Sequence, residues 1–112
     1  MEKINISGTL KPDFEKSGGL LPVIVQHAQS KEVLMHAWMN HEAYLKSLET
    51  NMACFFSRSR QRLWTKGETS GHFLIIKEMY LDCDRDCLLL LVEPEGAVCH
   101  TGTPSCFALG FP

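Results

Sequence analysis

The sequence predicts a β-rich α+β fold, a small single domain with one or two short helices. Three observations carry that reading. The chain has 112 residues, enough for one domain with a modest core. Hydrophobic residues make up 45% and charged residues 21%, ordinary values for a globular protein. Short apolar runs separated by turn residues recur along the chain, whereas one stretch carries clear helix-start chemistry. No internal repeat, low-complexity tract or linker-like stretch divides it, so 1–112 reads as one domain.

Each element has a local reason. Leu21-Pro22-Val23-Ile24-Val25 reads as a strand after Gly18-Gly19, and Gln29-Ser30-Lys31-Glu32 as a polar turn. Val33 to Trp38 then returns as a second strand. Asn40 is a good helix N-cap, and Met39 and Tyr44 have the spacing of a hydrophobic staple. A short helix from His41 to about Glu49 would bury Tyr44, Leu45 and Leu48, with Asn51 ending it. Cys54 to Ser57 and Leu63-Trp64-Thr65 are short strands around the turn Ser59-Arg60-Gln61-Arg62. Phe73 to Leu81 is a longer strand, and Leu88 to Val92 is apolar enough to be buried on both faces. Pro94-Glu95-Gly96 reads as a turn, and the Gly/Pro/Ser/Thr-rich tail from Cys99 as loop. So much apolar content in a short, loop-ended chain also allows a dimer.

Composition excludes some function classes. A net charge of −2 advertises neither a nucleic-acid nor a membrane-surface partner. Met1-Glu2-Lys3-Ile4-Asn5 lacks the apolar core of a signal peptide, and the longest clean apolar run, Cys87 to Val92, is too short to span a bilayer. A cytoplasmic location is the expectation. Five cysteines in such a chain read as thiols rather than as a disulfide framework. Cys54, in an apolar run, reads as a small buried hydrophobe. Cys87 is ambiguous, because it leads into four leucines yet adjoins Asp86.

The segment Asp82-Cys83-Asp84-Arg85-Asp86 mixes hard carboxylates with a soft thiol. Carboxylates suit Mg²⁺ or Ca²⁺ and thiolates suit Zn²⁺, so two different metals are the natural reading. In a straight strand the three aspartates would share one face, but they would span roughly 13 Å, too far to meet one small cation. The segment must therefore curl, or some carboxylates must act through water, with Cys83 projecting away. Asp82, Asp84, Asp86 and Glu93 mimic an EF-hand spacing, but the required glycine is replaced by Cys87 and the flanking helices are missing. Cys99 and Cys106 flank a Gly-Pro loop that could fold both sulfurs onto one ion, and with Cys83 they make three thiolates. Three ligands with an open position are what a catalytic zinc needs. The alternative is three unrelated buried cysteines.

The stretch from Ser57 to His72 holds four cations, Arg58, Arg60, Arg62 and Lys66, with two glycines, several hydroxyls and Trp64. Such groups suit phosphate oxygens, and Trp64 could stack on a base. The alternative is a solvated hairpin with a polar face. The stretch matches no Walker motif. His100 gains weight as a general base from its neighbour Cys99, and His72 gains less, from the polar loop before it. His27, His36 and His41 carry no local constellation and read as structural.

From about Leu20 to Phe107 the chain resembles the phosphoribosyl-AMP cyclohydrolases of histidine biosynthesis. The resemblance rests on Ser57-Arg58-Ser59, Leu63-Trp64, Lys66-Gly67-Glu68-Thr69-Ser70-Gly71-His72, Leu81-Asp82-Cys83-Asp84 with Asp86, Cys99-His100-Thr101-Gly102 and Ser105-Cys106. It implies an intertwined homodimer, with Mg²⁺ on Asp82, Asp84 and Asp86. It also implies Zn²⁺ on Cys83 of one subunit and Cys99 and Cys106 of the other. The implied reaction is hydrolytic opening of the adenine ring of phosphoribosyl-AMP at N1–C6 by a zinc-activated water. His100, and less directly His72, would move the proton. Arg58, Arg60, Trp64, Lys66, Thr69 and Ser70 would bind the substrate. Two departures stand out: Cys87 replaces an uncharged residue, often alanine, and His27 follows Gln26 where an aspartate is common. Some relatives carry a fused pyrophosphatase domain, whereas this sequence implies the cyclohydrolase activity alone. The competing class is a non-enzymatic zinc-stapled dimerisation module, which gives no reason for the aspartates or the 66–72 loop.

Overall fold

The computed structural model describes residues 11–111; Met1–Asn5, read above for a leader, lie outside them. Six strands and one helix follow in the order β1 (Leu21–His27), β2 (Val33–Met39), α1 (His41–Thr50), β3 (Cys54–Ser57), β4 (Arg62–Thr65), β5 (Leu74–Leu81) and β6 (Leu88–Pro94). The β-rich α+β class is therefore observed, with one helix. Four strands form a sheet in the order β2-β1-β6-β5, and β3-β4 form a separate hairpin. β1 and β6 run parallel, while the other pairs are antiparallel.

Strand alternation decides where the core lies. Leu21, Val23 and Val25 of β1 point inward and are fully buried, as are Leu88, Leu90 and Val92 of β6. This inner face packs with Phe55, Leu74, Met39 and Tyr44 into one cluster. The outer face is less covered. Ile24 is 39% exposed and pairs with Leu89, which pairs in turn with Tyr80, 49% exposed. A half-exposed apolar row thus crosses three strands, so β6 is buried on one face and only partly on the other.

Helix α1 starts as its sequence dictates. Asn40 Oδ1 accepts a hydrogen bond from Ala43 N–H at 2.9 Å, satisfying one of the free donors of the first turn. Asn51 ends the helix in the left-handed region at φ 61, and its N–H donates to Ser47 O. The buried stripe is Ala43, Tyr44 and Ser47, with Leu48 beside it. Leu45 is 48% exposed, contrary to expectation, because it sits about a quarter turn off that stripe. Ser47 does work no pattern announced. Its buried Oγ donates to Ala43 O and accepts from Cys54 N–H, each at 2.9 Å, tying α1 to β3.

Boundaries shift slightly elsewhere. Arg62 belongs to β4 rather than to the preceding turn, because it pairs with Ser57. Phe73 precedes β5, and Pro94 closes β6 opposite Leu74 instead of opening a turn. Proline is tolerated there because it ends the ladder, where a missing N–H costs little. From Cys99 to residue 111 there is no regular element, as the tail composition predicts. Among the described residues, no helix is long and apolar enough to cross a membrane.

Candidate active site

The acidic segment curls, the first of the two alternatives that the span of a straight strand left open. Leu81 pairs with Leu88, so residues 82–87 form the loop of the β5–β6 hairpin. Asp82 N–H donates to Cys87 O, and Arg85 N–H donates to Asp82 O at 3.0 Å. Arg85 takes a left-handed φ of 63 to reverse the chain. Asp82 Oδ1 accepts from the N–H groups of Asp86 and Cys87, at 3.0 and 3.3 Å. The result brings one carboxylate oxygen each from Asp82, Asp84 and Asp86 within 4.8 Å of one another. That donor set, hard and largely exposed, fits a cation that keeps some of its water, such as Mg²⁺. Cys83, on the same loop, is exposed and faces a recess beside Asp84 and Phe14.

The other two thiols lie in the 99–106 loop. Gly102 N–H donates to Cys99 O and Cys99 N–H donates to Thr103 O, closing a tight turn. Thr101 Oγ1 donates to Cys99 Sγ at 3.0 Å. This hydroxyl, then the Thr101 N–H, favours the thiolate and lowers the Cys99 pKa to about 6. Burial raises the Cys106 pKa, and the neighbouring Cys99 charge adds to the rise. A thiolate beside a second thiol is the soft donor chemistry that zinc takes. Among the described residues of one chain, however, Cys83 does not join Cys99 and Cys106 in a group of three. In metal-free protein, iodoacetamide labelling of Cys99 should accelerate as pH rises through about 6, where its thiolate forms. Peptide mass spectrometry should place the Cys106 midpoint higher. Equal midpoints would remove the role given to Thr101.

The basic stretch forms a pocket of about 440 Å³ on the β3–β4 hairpin and the loop after it. Arg60, Trp64, Lys66, Thr69 and Ser70 all line it, as the sequence reading implies. Arg62, Ser57 and Glu68 line it too, and no role was assigned to them in advance. Arg62 is one of the four cations that the sequence shows in this stretch. Arg58 does not line it: its guanidinium stacks 4.4 Å above the Trp38 ring, in a neighbouring recess that shares Ser57 and Trp64 with the pocket. The loop is folded on itself by Gly71 N–H donating to Gly67 O and by Thr65 N–H donating to Glu68 Oε2. The Lys66 charge opposes part of the rise at Cys106, although neither Cys99 nor Cys106 lines the pocket.

The two histidines of interest differ. His100 is exposed next to Cys99. His72 does not line the pocket; its Nδ1 lies 3.3 Å from Ala97 O, and its ring covers Gly96 so closely that a Cβ there would lie 2.6 Å from Cγ. Of the other histidines, His27 Nδ1 accepts from Gln29 N–H, His36 packs on Trp38 and His41 packs on Phe14. Cys54 is wholly buried in the core, as expected. Burial raises the Cys87 pKa and the charges of Asp82 and Asp86 raise it further, which disfavours the thiolate a metal would need.

The family model described as phosphoribosyl-AMP cyclohydrolase matches residues 35–108. The chain is 59% identical over 95 residues to the histidine biosynthesis bifunctional protein HisIE of Staphylococcus epidermidis, covering 85% of this chain and 44% of that protein. It is 60% identical over 95 residues to HisIE of Escherichia coli K12, covering 85% and 47%. It is 57% identical over 98 residues to the phosphoribosyl-AMP cyclohydrolase of Methanocella arvoryzae, covering 88% and 81%. The chain thus spans less than half the length of the bifunctional relatives, and most of the length of the archaeal one. The matched region contains the acidic loop, the basic pocket and both thiol positions of the 99–106 loop, and the chain belongs to the phosphoribosyl-AMP cyclohydrolase family.

Proposed function

We propose that the protein is a cytoplasmic, homodimeric hydrolase that opens the adenine ring of phosphoribosyl-AMP at N1–C6, in histidine biosynthesis. One observation carries the reading: a single chain combines a pocket rich in side chains suited to phosphate with a three-carboxylate loop and a thiolate-bearing loop. Arg60, Lys66, Thr69 and Ser70 offer charge and hydroxyls for two phosphates, while Trp64 offers a face for the base. Cys99 and Cys106 would hold zinc with Cys83 of a second subunit, and Asp82, Asp84 and Asp86 would hold magnesium. When bound, zinc supplies a Lewis acid that activates water near neutral pH, and magnesium a charge partner for phosphate oxygens.

The chain's own residues do the rest. In the ring opening, the oxygen of water joins C6, the C6–N1 bond breaks and N1 takes up a proton. His100, exposed beside Cys99, would accept the proton of water and pass it to N1. His72 acts at one remove, holding the 67–72 loop against the 96–98 turn through its contact with Ala97. The dimer reading draws support from the apolar row Ile24, Leu89 and Tyr80, which one chain leaves half exposed. A non-enzymatic zinc staple would leave the basic pocket without a purpose.

The test is turnover. Purified protein should open phosphoribosyl-AMP, followed by absorbance. A zinc-tight chelator should reduce the rate to background, and zinc should restore it. Undiminished turnover by demonstrably zinc-free protein would overturn the reading.

A further inference from the structure

Residues Asp13–Gly19 form an arm that reaches across the molecule to the acidic loop. Asp13 N–H donates to Arg85 O at 2.7 Å. Lys16 Nζ donates to Asp84 O at 2.8 Å and lies 3.4 Å from Asp86 Oδ2. The arm is itself ordered: Lys16 N–H donates to Asp13 Oδ1, and Gly19 N–H donates to Phe14 O. On its other side Phe14 packs edge-on against His41 and at a tilt against Tyr44, both on α1. The arm therefore bridges the helix and the acidic loop.

We propose that Lys16 is the resident counter-ion of the acidic loop, that it yields Asp86 to magnesium, and that this exchange loosens the arm. The inference rests on the reading that Asp82, Asp84 and Asp86 hold a divalent cation. Three carboxylates within 4.8 Å repel one another, and an ammonium at their edge offsets part of that repulsion. The pair contributes little to stability, because both side chains are substantially exposed, at 45% and 34%. Its consequence is for cation binding. A divalent ion on Asp86 would meet a positive charge a few ångströms away, and one of the two must move. The ion is held by three carboxylates, whereas Nζ sits on a flexible four-carbon stem that can swing into water. The ion wins, and Lys16 loses its contact with Asp84 O as it leaves. One fewer contact then pins the arm, and through Phe14 the change is felt at α1.

The test uses the full chain and Mg²⁺ alone, without substrate. Lys16→Met removes the charge and keeps most of the stem; Lys16→Arg keeps the charge. Isothermal titration should show Lys16→Met binding Mg²⁺ roughly two- to fivefold more tightly than wild type, the scale of one exposed charge pair. Lys16→Arg should stay near wild type. Hydrogen exchange should show Mg²⁺ speeding exchange in residues 13–19 of wild type. In Lys16→Met those residues should exchange fast without Mg²⁺ and respond little to it. Equal or weaker Mg²⁺ binding by Lys16→Met would overturn the counter-ion role while leaving the metal reading intact. Failure of both proteins to bind Mg²⁺ would overturn the metal reading and the inference together.

Discussion

A heterodimer of one Cys83→Ala chain and one Cys106→Ala chain should recover about half of wild-type turnover, although each variant alone is inactive. The arithmetic follows from two-fold symmetry. In the proposed arrangement each zinc site would take Cys83 from one subunit and Cys99 with Cys106 from the other. In the mixed dimer, the Cys106→Ala chain still offers Cys83, and the Cys83→Ala chain still offers Cys99 and Cys106. One site is whole, and the other lacks a thiol from each side. Among the described residues of one chain, Cys83 forms no group of three with Cys99 and Cys106, and it lines an open recess. Co-expression with two different tags and tandem purification isolates the heterodimer. Its zinc content, read by mass spectrometry, should be about one ion per dimer against two for wild type. An inactive heterodimer without zinc would show that the thiols of each site are not shared in this way. Full activity in either single variant would show that the thiol is dispensable.

How much of this the sequence made legible depends on how local each cause is. Asn40 and Asn51 act on backbone groups three or four residues away, so the ends of α1 could be read from the chain. The curl of Asp82–Asp86 was half legible: an extended strand is too long for three carboxylates to meet one ion directly, which left a curl or carboxylates acting through water. Contacts distant in sequence were hidden. The parallel pairing of β1 with β6 joins residues more than sixty positions apart, and no residue in either strand announces its partner. Lys16 reaches Asp84 across 68 positions and looks like any surface lysine until the arm is placed. Arg58 illustrates a subtler limit. Composition grouped it with Arg60 and Lys66, but Arg58 stacks over Trp38 while Arg60 lines the basic pocket. Side-chain chemistry was readable there; side-chain direction was not.

Gly67→Ala should be the most damaging single substitution in the basic pocket, with Gly71→Ala as its control. Both glycines have positive φ, 94 and 82, so each alanine is strained by its backbone. That strain alone costs of order 1 kcal/mol, and it is all that Gly71→Ala should suffer, because nothing lies within 4 Å of a Cβ there. At Gly67 a Cβ would lie 2.5 Å from both His72 C and Phe73 N, and 2.6 Å from His72 O. Those are backbone atoms at the foot of β5, so no rotamer change relieves the clash. The loop must open, and the hydrogen bond from Gly71 N–H to Gly67 O, at 2.7 Å, must stretch or break. A loss of about 2–4 kcal/mol is expected for Gly67→Ala, lowering its melting temperature by at least ~8 °C. Activity should fall further than stability explains, because opening the loop moves Lys66, Thr69 and Ser70 away from shared phosphates. Phosphoribosyl-AMP turnover, measured well below the melting range of both variants, should drop more than about tenfold for Gly67→Ala, a loss above 1.4 kcal/mol in transition-state binding. Gly71→Ala should stay within about threefold of wild type. Matching losses of stability and activity in the two variants would show that close packing against His72 does not shape the pocket.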